Sequence, residues 1–278
     1  MTVLVFTLIM LAASFLAGFI GALTGLGGGV ILIPLLTLVF KIDIHYAIGT
    51  SLVAVIATSS GAAAAYVKEG ITNIRLGMFM EIATTAGALI GTTIIIYTST
   101  NAIAIIFGTV LIFSSLMTIR KRNVDHIETK EKSILAKQLR LNSSYPAKAG
   151  PVHYFVRNVP GGFVMMIGAG ILSSLLGIGS GAFKVLAMDN MMRIPFKVST
   201  TTSNFMIGVT AAASTILYFH RGYIDPVLTF PIVIGVFAGA MIGARVLIGS
   251  GIKVLRIVFS IIIAIVAIEM IYKGIKGT

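Results

Sequence analysis

Gly25-Leu-Gly-Gly-Gly-Val-Ile-Leu-Ile-Pro34 and Gly177-Ile-Gly-Ser-Gly-Ala-Phe-Lys-Val185 are two versions of one motif. In each, a glycine cluster interrupts an apolar run and a short apolar stretch follows. Glycine disfavours helix interiors, so the cluster predicts a break. Lipid cannot hydrogen-bond the backbone groups a break frees. Such a break therefore survives only inside protein or beside a water-filled cavity. The stretch after each cluster is expected to be a half-helix with its N-terminus at the break, where unpaired N–H groups and the macrodipole attract anions. The competing reading is close helix packing through small residues. A nucleotide-phosphate loop does not fit, because neither cluster ends in Gly-Lys-Ser/Thr and no strand precedes it.

Working outward, the two motifs align without a gap under a shift of 152 positions, which carries Gly25 onto Gly177. Gly18 then falls on Gly170, Leu23 on Leu175, and Thr50-Ser51 on Thr202-Ser203. Tyr66 and Gly70 fall on Tyr218 and Gly222, and Gly87 and Gly91 on Gly239 and Gly243. Two tandem copies of one unit are expected, as in many secondary transporters. An odd number of crossings per copy would invert the second one. Arg245, Lys253 and Arg256 flank one connection and Lys273 and Lys276 flank the end, so charge counting leaves parallel and inverted copies both open.

Composition names the solvent. The 278 residues are 57% hydrophobic and only 11% charged, with mean hydropathy +1.02. A soluble domain carries roughly 25% charged residues, so the missing polar surface points to lipid. The fold class is an all-α polytopic membrane protein of two homologous repeats, each with four or five hydrophobic segments and a broken half-helix. Residues 1–40 carry no charge and their apolar stretch exceeds a signal-peptide core, so they are expected to begin the membrane domain. Apolar segments lie near 3–24, 29–40, 46–67, 76–97 and 102–119, then 159–176, 182–192, 198–219, 227–248 and 254–272. The segments at 29–40 and 182–192 are too short to span a core of about 30 Å.

Residues 120–157 separate repeat 1 (1–119) from repeat 2 (158–278). This loop holds half of the whole net charge of +12, so it is expected to be cytoplasmic in a plasma or inner membrane protein. Within it, 127–141 reads either as a short amphipathic surface helix or as a solvated linker. The basic residues lie between apolar runs with no interleaved aromatics, so nucleic acid is not an expected partner. The absence of cysteine removes thiol chemistry and zinc–cysteine sites. His45, His126, His153 and His220 form no metal-ligand spacing. No metal or cofactor is expected. The expected partners are a small anion, membrane lipid and a second copy of the chain in a homodimer.

Candidate site residues follow from the breaks. Gly27, Gly28 and Gly29, with Gly179, Ser180 and Gly181, would supply backbone donors. Thr50, Ser51, Thr202, Ser203 and Asn204 would supply side-chain donors, although Ser and Thr there could equally cap the helix starts. Asn204 has Leu52 as its counterpart. Lys184, with Leu32 as its counterpart, would supply positive charge; an unpaired lysine at that depth needs a partner, and Asp189 or the anion could serve. Glu81, with Val233 as its counterpart, is a candidate for proton coupling or else sits at the interface. Arg245 and Glu269 lie near segment ends, where they would snorkel.

Taken with Ala47-Ile-Gly-Thr-Ser51 and Lys197-Val-Ser-Thr-Thr-Thr-Ser-Asn-Phe-Met206, the two glycine motifs resemble the sulfite exporter TauE/SafE family. The resemblance covers nearly the whole chain outside 120–157. It implies a multi-pass inner-membrane permease with two homologous halves, moving sulfite, sulfoacetate or a related organosulfur anion. Ser180 within the glycine run, Leu186 opposite Pro34, and Lys184 depart from the first-half pattern. The expected function is a secondary transporter, not an enzyme. A passive anion channel is the alternative, and an intramembrane serine hydrolase using Ser180 and His220 is a further one.

Overall fold

Long apolar stretches form long helices, and the glycine clusters near 25–29 and 177–181 and the charged turns end them. The computed structural model describes residues 3–24, 27–95, 97–119, 133–147, 150–249 and 253–276. Gly25, and residues 120–132 and 148–149 with most of the basic loop's charges, lie outside the described residues. The helices before the loop are α1 (Val3–Thr24), α2 (Gly29–Pro34), α3 (Ile44–Lys68), α4 (Ile74–Ile95) and α5 (Thr100–Ile119). Then come α6 (Ile134–Gln138) and the antiparallel hairpin β1 (Ser143–Ala147) and β2 (Gly150–Tyr154). The remaining helices are α7 (Val159–Leu176), α8 (Gly181–Leu186), α9 (Phe196–His220), α10 (Pro226–Gly249) and α11 (Lys253–Lys276).

The two short segments are half-helices, as expected. Each continues into five residues of π-helix, Leu35–Val39 after α2 and Ala187–Met191 after α8. Phe40 N donates to Leu35 O and Met192 N to Ala187 O, both at 3.2 Å. Pro34 does not cause the widening, because Leu186 takes its place in the second segment.

By length and composition α1, α3, α4, α7 and α10 can each cross a bilayer; α5, α9 and α11 reach comparable lengths of 20, 25 and 24 residues. Large apolar side chains such as Leu8, Leu16, Ile82, Val164, Ile216, Phe230 and Ile268 are exposed around the outside. In water a belt of this size would aggregate; in lipid it is the solvated face. This is an all-α polytopic membrane protein.

Glycines set the helix pairs. A methyl group on Gly239 of α10 would lie 2.0 Å from the Phe15 carbonyl oxygen of α1, and one on Gly87 of α4 would lie 2.1 Å from that of Ile167 on α7. Only glycine allows these backbones to approach so closely. Gly235, Gly239 and Gly243 meet successive turns of α1, at Leu11, Phe15 and Phe19, so α1 and α10 run parallel. Gly87 and Gly91 meet Ile167 and Ile171, so α4 and α7 are also parallel. Gly108 of α5 meets Ala267, while Gly274 of α11 meets Asn101, so α5 and α11 run antiparallel.

Several of these features recur at positions 152 residues apart. Left-handed backbone occurs at Gly27 and Gly179, at Lys41 and Arg193, and at Gly70 and Gly222. Tyr66 Oη donates to Ala22 O at 3.3 Å and Tyr218 Oη to Ser174 O at 3.1 Å.

The loop departs from the linker reading over 133–157. Ala136, Leu141, Tyr154 and Val156 are buried in one cluster with Leu76, Met80 and Met192. Asn73 Nδ2 donates to Leu141 O and to Tyr154 Oη, both at 2.9 Å, which ties the hairpin to the start of α4. Burial pushes the Tyr154 phenol up to about 12, so it stays neutral in this contact. Over the described part of 127–141 the helix reading holds at α6, with Ser133 as its N-cap.

Candidate functional site at the crossed helix breaks

The two breaks meet. A methyl group on Gly27 would lie 3.3 Å from the Ile178 carbonyl oxygen, and one on Gly29 would lie 2.6 Å from that of Gly177. Gly27 and Gly179 have φ of +80° and +72°, where a side chain is strained, so the turns depend on glycine. Ser180 is left-handed as well, with φ +42°. Its hydroxyl donates to Ala169 O at 2.5 Å, which holds the turn against α7. Val55 of α3 and Ile207 of α9 pack against both turns.

The expected donors divide into groups. Ser51 Oγ donates to Gly177 O at 2.8 Å, so a helix of the first half holds the break of the second. Ser203 Oγ donates to Gly181 O at 3.2 Å. Thr50 Oγ1 pairs with Thr229 Oγ1 at 3.2 Å, and Thr202 Oγ1 accepts from Asn73 N at 3.1 Å. The Thr50 and Thr202 hydroxyls therefore face the starts of α10 and α4 instead of the breaks. None of these four caps a helix, because α3 and α9 begin earlier, at Ile44 and Phe196. Asp43 Oδ1 instead accepts from His45 N at 2.9 Å at the start of α3. Gly28 accepts from Ile31 N and Leu32 N, opening α2.

Asn204 lies one turn before Ile207 on α9 and is buried. Its Nδ2 has no hydrogen-bond partner among the described residues. A buried donor without an acceptor is costly, so this amide is disposed to receive one. Its backbone carbonyl accepts from Ser59 Oγ, which in turn accepts from Gly208 N at 3.0 Å.

Lys184 is fully buried, as its position in α8 implied, but its partner is not Asp189. Its Nζ donates to Thr210 Oγ1 at 2.5 Å and lies 3.9 Å from Glu81 Oε2. Thr210 Oγ1 in turn donates to Glu81 Oε1, also at 2.5 Å. Glu81 is not interfacial: α4 starts at Ile74, two turns earlier, and packing on α9 buries the carboxylate at 6% exposure. Thr210 did not stand out in the sequence. The signal was available, because it lies two turns beyond Ser203 on the same face of an otherwise apolar stretch.

Residues 10–270 match the family described as Sulfite exporter TauE/SafE. The chain belongs to that family. It is a membrane transporter, not an enzyme.

Among the relatives of this TauE/SafE protein is "Probable membrane transporter protein YunE" of Bacillus subtilis, 26% identical over 96% of the chain and 98% of the relative. A second Bacillus subtilis protein, "Probable membrane transporter protein YdhB", is 27% identical over 86% of the chain and 87% of the relative. A "Probable membrane transporter protein" of Xylella fastidiosa is 24% identical over 93% and 92%. No solved structure matches the chain.

The hydrolase alternative falls away with this family. The geometry agrees: Ser180 donates to a backbone carbonyl, and His220 is exposed at the far end of α9. It lies 17 residues, or about 25 Å of helix, beyond Ser203.

Proposed function

We propose that this TauE/SafE transporter carries a small oxyanion, sulfite or an organosulfonate such as sulfoacetate, across the plasma or inner membrane by alternating access. The observation that carries the reading is the meeting of the two glycine breaks, with the partnerless Asn204 amide on α9 one turn before Ile207, which packs against both. Gly27, Gly28, Gly29, Gly179 and Gly181 offer close backbone approach, Asn204 offers a side-chain donor and Lys184 the positive charge. Ser51, which bonds across the halves to Gly177 O, is released to the anion when they part, while Ser180 and Ser203 hold the second turn through carbonyls of its own half. Thr50 and Thr202 anchor the helices that frame the site.

The two halves act as inverted copies in this proposal. The left-handed positions, the tyrosine bonds and the glycine contacts that recur 152 residues apart support two copies. Antiparallel α5 and α11, the last helix of each copy, support inversion. Following each helix from the loop places Lys68, Arg75, Lys137, Arg140, Arg157, Arg193, Lys197 and Arg245 on the loop's side, against Lys41, Arg221, Lys273 and Lys276 on the other. That imbalance favours a cytoplasmic loop.

The test is counterflow in proteoliposomes loaded with unlabelled sulfite or sulfoacetate. Saturable uptake of the labelled anion against its gradient is expected. Ohmic single-channel current would favour the passive channel, and no flux of any small oxyanion would remove the reading.

A further inference from the structure

We infer that Lys184 and Glu81 form a latch between the two halves, which opens when an oxyanion takes Lys184 and a proton takes Glu81, so that anion and proton move together. The inference rests on the anion reading above. Glu81 belongs to α4 in the first half, whereas Lys184 and Thr210 belong to α8 and α9 in the second. The three side chains form a chain of donors, from Lys184 Nζ to Thr210 Oγ1 to Glu81 Oε1. Motion of one half against the other must break or stretch it.

The carboxylate is poised to change partners. Two hydroxyls hold Oε1, those of Thr210 and, at 3.2 Å, Thr85. Oε2 faces Lys184 at 3.9 Å and accepts no hydrogen bond among the described residues, although it is buried. An oxyanion at Lys184 would therefore leave two negative groups sharing one cation in a low-dielectric interior. A proton from water bonding to Oε2 removes that conflict. When the anion leaves, Lys184 returns to Glu81 and the proton returns to water.

Few other charges can compensate. On the elements packed against the pair, α7 and α5 carry no charged residue. On α9, Lys197 and His220 are exposed at the two ends, and Tyr218 donates to Ser174 O. Arg75, on α4 itself, is exposed at its start. Asp189, in the π-helix after α8, is half-buried and has contacts of its own. The positions 152 residues away from Lys184, Thr210 and Glu81 are Leu32, Thr58 and Val233. The counterpart positions thus hold no charge, and one latch couples one proton.

Calorimetric titration of the purified wild-type protein with sulfoacetate is the test. The sulfonate and carboxylate of sulfoacetate stay ionised between about pH 6 and 9. Comparing buffers of different protonation enthalpy counts the protons taken up. One proton per bound anion is expected, with affinity falling about tenfold per pH unit where uptake is complete. Glu81→Gln should bind sulfoacetate with no proton uptake and no pH dependence. Wild-type binding without proton uptake overturns the latch even if the variant does not fold. Undiminished uptake in Glu81→Gln overturns it too. If sulfoacetate, sulfite, sulfate and thiosulfate all fail to bind, the anion reading falls and takes the latch with it.

Discussion

Lys184 Nζ, on the half-helix of the second half, lies 3.9 Å from Glu81 Oε2 on a long helix of the first. The Thr210 hydroxyl joins them. Sequence reading gave each residue a separate role, one as an anion ligand and the other as a proton carrier. In the proposed latch their contact makes both roles parts of one exchange. It also explains how a fully buried lysine is tolerated, since a charge at that depth must be paired.

Removing one partner exposes this dependence. Lys184→Met leaves the Glu81 carboxylate buried without its cation and is expected to cost about 3–5 kcal/mol. The double variant Lys184→Met/Glu81→Gln should recover most of that loss while still failing to bind sulfoacetate. Melting temperatures in detergent, with a parallel titration, check both statements. A double variant as unstable as the single one would mean that the pair is not what holds these helices.

The turns at the breaks depend on backbone freedom. Gly27→Ala and Gly179→Ala each place a Cβ on left-handed backbone, an expected loss of about 1–2 kcal/mol. Gly179→Ala should be the worse, because its methyl would sit 2.5 Å from Ile207 against 3.3 Å from Ile178 O for Gly27→Ala. Thermal unfolding ranks the two, and sulfoacetate flux should fall in both. Equal stability to wild type would mean that the turns relax without strain.

Asn204 behaves differently in this scheme. Asn204→Leu removes a buried donor that has no acceptor, so stability should hold or rise. Anion affinity should drop by about tenfold or more, the worth of one hydrogen bond to a charged group. Titration of the folded variant decides. Unchanged affinity would take Asn204 out of the site.

Membrane sidedness can be read directly, because the chain has no cysteine. Lys276→Cys should react with a membrane-impermeant maleimide added outside intact cells, and Lys197→Cys should not. The opposite pattern would reverse the orientation inferred from the charges.

The broken half-helices were legible because a dense glycine cluster disfavours helix locally and recurs before a short apolar stretch at both repeat positions. The extent of the short segments followed from the charges and prolines beyond them. What the sequence left open depended on tertiary contact. For Glu81 an interfacial position stayed open beside proton coupling, because its distance from a helix end says nothing about α9 packing over it. Capping stayed open for Thr50 and Thr202 beside anion donation, because α3 and α9 extend further back, over His45 and Lys197, than their apolar pattern does. Parallel and inverted halves both stayed open because the direction of α5 against α11 is a tertiary relationship, which no single segment encodes. A solvated linker stayed open for 127–141 because buried side chains there, such as Ala136 and Leu141, are scattered singly among polar ones.

The most direct measurement is anomalous diffraction from crystals grown with selenate, a selenium analogue of the sulfur oxyanions. A single strong selenium peak is expected where the two breaks meet, within hydrogen-bond reach of Asn204 Nδ2. A peak elsewhere, or none in protein that transports selenate, would contradict the crossed breaks as the anion site.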